Sequence, residues 1–256
     1  MIRIALLVAT AFAAGAVNSV AGGGTLLTFP ALLSAGVPPI AANATSTVAL
    51  VPGSFGAFWG YRSELGDRRI EMLWLGIPSV LGGLIGAIFL LRTGDAMFSR
   101  LVPWLILGAT GLFVAQGPVR RWALPLGGDT EGSPPWWRLA CVAGFQFLVA
   151  LYGGYFGAGI GILMLAALGI LGTKSIHRAN ALKNFANVCI NAVASITFIL
   201  QDRVVWNIAL AMAVGAIAGG YLGAGVARRI GQQVVRKIVV GVGLGIGVWM
   251  LIKQYG

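Results

Sequence analysis

Acidic residues are scarce in this chain. Seven Asp and Glu stand against 18 Lys and Arg in 256 residues, with one histidine and two cysteines. All seven acids (Glu64, Asp67, Glu71, Asp95, Asp129, Glu131 and Asp202) fall between apolar runs or at their edges. No buried acid–base pair or nucleophile–histidine set is therefore predicted, which argues against an intramembrane enzyme. His177 has no HxxxH partner, and Cys141 and Cys189 form no C-x-x-C pair. With carboxylate clusters also missing, no metal site or metal-ion permease is predicted. The glycines at 157–161 lack the strand and βαβ surround of a dinucleotide fold, so no cofactor follows from them. Both cysteines read as small buried apolar residues.

Hydrophobic residues fill the space. They make up 58% of the chain, with 10% charged. A soluble domain carries about 45–50% apolar and about 25% charged residues. Apolar runs of 15 to 25 residues recur from end to end, long enough to cross a hydrocarbon core of about 30 Å as helices. The fold class is an all-α polytopic membrane protein embedded in a lipid bilayer. A net charge of +11 would suggest nucleic acid in a soluble protein. Here the basic residues sit in short loops, and the positive-inside rule accounts for them with no nucleic-acid partner. Thirty-nine glycines fit close helix packing. Gly56/Gly60, Gly82/Gly86, Gly215/Gly219/Gly223 and Gly241/Gly245 have the small-xxx-small spacing that permits it.

Residues 2–20 have the Arg3, apolar core and small residues of a secretory signal. They run straight into Gly22-Gly23-Gly24, which has a counterpart in mid-chain, so they are read as the first membrane helix. The apolar run from Thr25 to Ala35 is too short to cross as a helix rising about 1.5 Å per residue. Val37-Pro38-Pro39 follows it. Longer helices are expected over 41–61, 72–91 and 101–115. The polar, Gly- and Pro-rich stretch 117–136 reads as a linker. It joins a first membrane repeat, 1–116, to a second, 137–256. In the second, helices are expected over 137–152, 162–171 (again short), 175–200, 204–227 and 234–252.

Sliding the sequence along itself until Gly22 falls on Gly159 also lays Gly24 on Gly161, Asn43 on Asn180 and Ser46 on Lys183. The same register lays Thr47 on Asn184 and Ser54 on Asn191. Internal repeats of this kind are a transporter signature. With about ten segments, loops on one side hold 12 basic residues and those on the other hold 5, Lys183 left aside. That asymmetry puts both termini outside the cytoplasm, in the cell's inner membrane. Five segments per half then make an inverted 5+5 repeat, with two broken or re-entrant helix pairs at the glycine runs.

The candidate site follows from that plan. Helices starting near Thr25 and Ile162 would point free N–H groups from Gly22–Gly24 and Gly157–Gly161 at the midplane, and helix starts attract anions. On the helix after the second break, Asn180, Lys183, Asn184, Asn187 and Asn191 fall within roughly 100° of arc, one polar stripe that should avoid lipid. Asn43, Thr47 and Ser54 form the matching stripe in the first half. Asn18, Ser19, Thr25 and Thr28 flank the first break; Gln146, Tyr152 and Tyr155 flank the second. Lys183 is the sharpest single residue. No carboxylate is expected at its depth, so a bound anion is its natural counter-charge. His177, in a turn beside Arg178, reads as a solvated loop histidine.

The stretch A-G-G-G-T-L-L-T-F-P-A-L-L-S-A-G-V-P-P-I-A-A-N-A-T-S-T-V-A at 21–49 resembles the TauE/SafE sulfite-exporter family. G-A-G-I-G at 157–161 and R-A-N-A-L-K-N at 178–184 resemble the same family, so the likeness covers essentially the whole chain. It implies a secondary transporter, an exporter of a small sulfur-containing anion such as sulfite or an organosulfonate. The alternative is an anion channel for small oxyanions. The resemblance, with the stripes, implies that Gly22, Gly23, Gly24, Thr25, Asn43, Thr47, Gly159, Gly161, Asn180, Lys183, Asn184 and Asn187 surround the substrate. The second copy carries Ile160 where the first has Gly23, and Ala167 opposite Pro30. The two half-sites therefore need not contribute equally.

Overall fold

The computed structural model describes residues 2–20, 23–65, 69–126, 136–170, 176–230 and 232–255. Ten α-helices run through them: α1 (Ile2–Val20), α2 (Thr25–Ser34), α3 (Pro39–Tyr61), α4 (Arg69–Thr93), α5 (Asp95–Leu126), α6 (Trp136–Tyr155), α7 (Ile160–Ile170), α8 (Ile176–Leu200), α9 (Trp206–Ile230) and α10 (Gln232–Tyr255). A 3₁₀ turn, Arg62–Glu64, follows α3. No strand occurs among the described residues. Among the described residues, four stretches are long and apolar enough to cross a bilayer: Ile70–Thr93, Asp95–Ala115, Arg178–Leu200 and Lys237–Gln254. Ile77, Leu81, Leu148, Leu210, Val214 and Trp249 stand exposed on the outside. That is the surface of a multi-pass membrane protein, where lipid rather than water covers apolar side chains.

Sequence periodicity places the elements closely and their ends loosely. Pro39 opens α3 at the first helical position, where its missing N–H costs nothing. α5 continues to Leu126, so the first half of the stretch expected as a linker is helical. Arg120, Arg121, Ala123 and Leu124 are good helix formers, and polarity alone does not end a helix. Residues 127–135 lie outside the described residues. With 10 and 11 residues, α2 and α7 are about 15–17 Å long, half of a hydrocarbon core.

α1 packs along α9 and α4 along α6; α3 touches α8 and α9, α4 touches α8, and α5 touches α7 and α10. Glycine sets the closest of these approaches. A Cβ on Gly82 or Gly86 would meet the α6 backbone at Phe147 or Leu151, and one on Gly215 or Gly219 would meet the α1 backbone at Val8 or Phe12. Backbones this near exclude any side chain. Gly56, Gly60, Gly241 and Gly245 face open space, so the same spacing does not mark packing there. Spacing alone cannot tell a helix face that meets a helix from one that meets lipid. For the same reason Cys141 is exposed and Cys189 half-buried, a correction to both being buried.

Candidate functional site

Each glycine break ends a long helix and starts a short one. At the first, Oδ1 of Asn18 accepts hydrogen bonds from the N–H groups of Gly23 and Gly24, both at 2.7 Å. The start of α2 thus carries its own acceptor. Gly23 adopts φ +144 and abuts the Phe113 ring of α5, leaving no room for a Cβ. Gly22 lies outside the described residues. At the second break, Gly157 takes φ +78 and returns its N–H to the Tyr152 carbonyl at 3.2 Å, capping α6 in the left-handed manner only glycine adopts cheaply. The Tyr152 hydroxyl donates to the Ala158 carbonyl at 2.9 Å and pins the link. Among the described residues, no acceptor meets the N–H groups of Gly159, Ile160 and Gly161. This pole is open where the first is capped.

The two breaks are neighbours. Gly23 lies against Phe113, and Gly159 lies against Ala109. Those α5 residues are four apart, one helical turn or about 6 Å. Ile160 packs with Ala186 and Ile190 of α8, level with the α3–α8 contact.

α3 and α8 cross in opposite directions. Ser54 accepts from Asn187 Nδ2 at 3.2 Å, and the Phe58 and Phe185 ring centroids are 5.8 Å apart. Far along α3, Thr45 accepts from the Val205 N–H beyond the end of α8. Asn191 Nδ2 bonds both the carbonyl and Oδ1 of Asn187. The structure therefore gathers Ser54, Asn187 and Asn191 at the crossing. It keeps Asn43 and Lys183 apart: Asn43 lies 11 residues from Ser54, about 16 Å along α3, and Lys183 lies about 6 Å from Asn187 toward the other end. None of Asn180, Lys183, Asn184, Asn187 and Asn191 is exposed. Thr25 is half-buried at the start of α2, and the Thr47 hydroxyl turns back to the Asn43 carbonyl at 2.8 Å.

Lys183 is 4% exposed, so its amine does not snorkel into bulk solvent. No hydrogen-bond acceptor or carboxylate pairs it among the described residues. Glu71 corrects the expectation that no carboxylate is buried: it is 7% exposed in the first turn of α4. Gly76 lies against Phe185 and Gly83 against Ile190, which sets Glu71 level with Ala179, one turn short of Lys183.

At the opposite end, Phe29 of α2, Phe98 of α5 and Tyr155 and Phe156 at the tip of α6 form one aromatic cluster. Its centroids lie 5.3 to 6.3 Å apart in edge-on contacts. Asn43 Nδ2 donates to the Tyr155 carbonyl at 3.3 Å, and the Tyr155 hydroxyl bonds Thr93.

Among known proteins, the profile of the family described as Sulfite exporter TauE/SafE matches residues 7–250. The chain belongs to the TauE/SafE family. A relative of this TauE/SafE chain from Haemophilus influenzae, named a probable membrane transporter protein, is 29% identical, over 93% of this chain and 90% of the relative. Probable membrane transporter protein ORF9 of a Sinorhizobium species is 26% identical over 97% and 92%. Probable membrane transporter protein YfcA of Escherichia coli K12 is 27% identical over 96% and 88%. No solved structure matches. This TauE/SafE chain is thus a membrane transporter by family.

Three features of its interior are not legible in the sequence. Asp95 Oδ1 accepts from the Ile40 N–H at 2.9 Å and caps α3 across 55 residues of sequence. Gln146 donates to Ser79 at 2.9 Å between α6 and α4, away from the break it is expected to flank. The aromatic cluster draws on three helices. Only Asn18, five and six residues ahead of Gly23 and Gly24, carries a local signal, since Asn side chains cap nearby N–H groups.

Proposed function

We propose that this chain is a secondary transporter that exports a small sulfur-containing anion, sulfite or an organosulfonate, across the inner membrane. Two inverted five-helix halves alternate access to a midplane site in which α2 and α7 are re-entrant. The observation that carries the reading is Lys183, buried and without a counter-charge among the described residues. A charge at membrane depth costs at least about 2.5–3.5 kcal/mol and persists where it has a function. An anion at the open N–H groups of Gly159, Ile160 and Gly161 would meet the positive pole of α7, with Lys183 on its cytoplasmic side. Asn184, Asn187 and the Ser54–Asn191 cluster would complete its hydrogen bonds.

The helix pairings support two halves. Exchanging each helix with the one five places on turns α1–α9 into α6–α4 and α3–α9 into α8–α4, and leaves α3–α8 and α5–α10 unchanged. Gly82-Gly83 and Gly219-Gly220, the close-packing pairs of α4 and α9, coincide in the register that lays Gly22 on Gly159. The excess of basic residues on the loops before α4 and α8 supports a cytoplasmic position for that end. The aromatic cluster then closes the outer end.

The test is binding of sulfite and small sulfonates to purified protein, read by thermal stabilisation, with Lys183→Met as the control. Charge-assisted hydrogen bonds contribute about 1.5–3 kcal/mol, so the variant should fold and bind roughly ten- to hundredfold more weakly. Unchanged affinity would remove the charge argument. Counterflow in liposomes separates a carrier from a channel.

A further inference from the structure

Asn43 has a buried oxygen with nothing to accept. The residue is 1% exposed. Its Nδ2 donates to the Tyr155 carbonyl, and Oδ1 has no hydrogen-bond partner among the described residues. The amide cannot be turned to relieve this, because a backbone carbonyl only accepts and must face the NH₂ group. Most buried polar side-chain atoms are paired, and an unpaired one keeps the full penalty of losing its water.

The position of that oxygen gives it meaning. Eleven residues separate Asn43 from Ser54, which at about 100° per residue returns to within about 20° of the same face of α3. Ser54 points at Asn187 in the α3–α8 crossing, so Asn43 lies on the interior face, on the outer side of the site. Tyr155 begins the link whose far end, Gly159 to Gly161, has the open N–H groups. Donors thus lie on the inner side of this path: three backbone N–H groups where Ile160 packs on Ala186 and Ile190 and, further along α8, the Lys183 amine. At the other end an acceptor waits. A cargo that is all acceptor, such as sulfate, satisfies only the first end.

We propose that Asn43 selects cargo that carries a hydrogen-bond donor as well as its negative charge. The class is a monoanion that also carries an O–H group, such as hydrogen sulfite or a hydroxyalkanesulfonate. The acidic head binds at α7 and the donor reaches Asn43 as the cargo enters or leaves through the outer half. This rests on the anion-transport reading above and adds what the anion must have besides charge. It also needs no carboxylate in the path, and Asn43 acts as an acceptor without bringing a negative charge near the cargo.

The experiment uses two probes of equal charge and carbon skeleton, 2-hydroxyethanesulfonate and ethanesulfonate. Each is titrated into the purified full chain and followed by thermal stabilisation, and their uptake is compared in proteoliposomes. The hydroxylated probe is expected to act at concentrations about tenfold lower. In Asn43→Leu, which removes the acceptor, that ratio should fall to one. Equal potency of the two probes on the wild-type chain overturns the proposal while leaving anion transport standing, and would mean that a water molecule satisfies Oδ1. A ratio retained in Asn43→Leu overturns it as well. If neither probe nor sulfite binds, the anion reading itself fails and takes this one with it. The wild-type comparison decides the matter even if the variant does not fold.

Discussion

Asn18 shows how one side chain sets the polarity of a half-site. Its Oδ1 takes the N–H groups of Gly23 and Gly24, so the partial positive charge at the start of α2 is already partly answered by an amide oxygen. Tyr155, its counterpart in the second half, cannot do this, and the start of α7 stays open. In the proposed site, an anion between the two poles would therefore be drawn to the second half, where Lys183 adds a full charge. Asn18→Asp tests the imbalance. The carboxylate keeps both hydrogen bonds and suits a helix start, so the fold should hold. It places a negative charge beside the cargo, however. Two unit charges about 10 Å apart interact by about 1.7 kcal/mol at an effective dielectric of about 20, and anion affinity should drop more than tenfold. Affinity unchanged by this variant would place the cargo away from both breaks.

Between helices, glycine decides what can touch. Gly219 lies so close to the Phe12 backbone, and Gly82 to that of Phe147, that no Cβ fits. Gly56 has nothing within 4 Å. Overpacking costs about 1–3 kcal/mol, and a free-standing helical Gly→Ala gains about 0.5–1 kcal/mol. At about 2–4 °C per kcal/mol for a chain of this size, Gly219→Ala and Gly82→Ala should lower the melting temperature by several degrees. Gly56→Ala should leave it level or raise it. Equal effects at all three would mean that α1–α9 and α4–α6 are not the close pairs. The number and order of helices are legible in the sequence, because apolar runs and Gly/Pro punctuation are local. The short α2 and α7 are legible from length alone. Which glycines are buried is not, since a lipid-facing helix face is as apolar as a packed one. Nor is the separation of Asn43 from Lys183. Both belong to polar stripes at helical spacing, but only the opposed directions of α3 and α8 put them at opposite ends of the crossing. Glu71 departs from expectation for a related reason: a helix end reads as surface in sequence, and here neighbouring helices cover it.

Taken whole, the molecule repeats its helix pairings but not its closures. Phe29, Phe98, Tyr155 and Phe156 join α2 and α5 to the tip of α6 at one end. In the register that lays Gly22 on Gly159, the positions matched to them are Ala166, Val235, Asn18 and Ser19, none of them aromatic. A carrier that alternates between two openings needs each end to close in turn, and two ends built from different residues close with different stability. Aromatic pairs contribute about 0.5–1.5 kcal/mol each beyond the area they bury, so in the proposed carrier the four edge-on contacts would bias this end toward closure. Loosening them should raise the population open to the outside, and in the extreme should leave both ends open at once. Phe98 touches the other three rings and is the place to do it. Phe98→Leu keeps an apolar side chain in the core while removing three of the ring contacts. In proteoliposomes loaded with unlabelled anion, the wild-type chain should show saturable uptake with counterflow. The variant should pass labelled anion faster and lose part of the counterflow, because a path open at both ends does not exchange one molecule for another. Counterflow that survives intact in Phe98→Leu would mean that these rings hold the fold together without gating it.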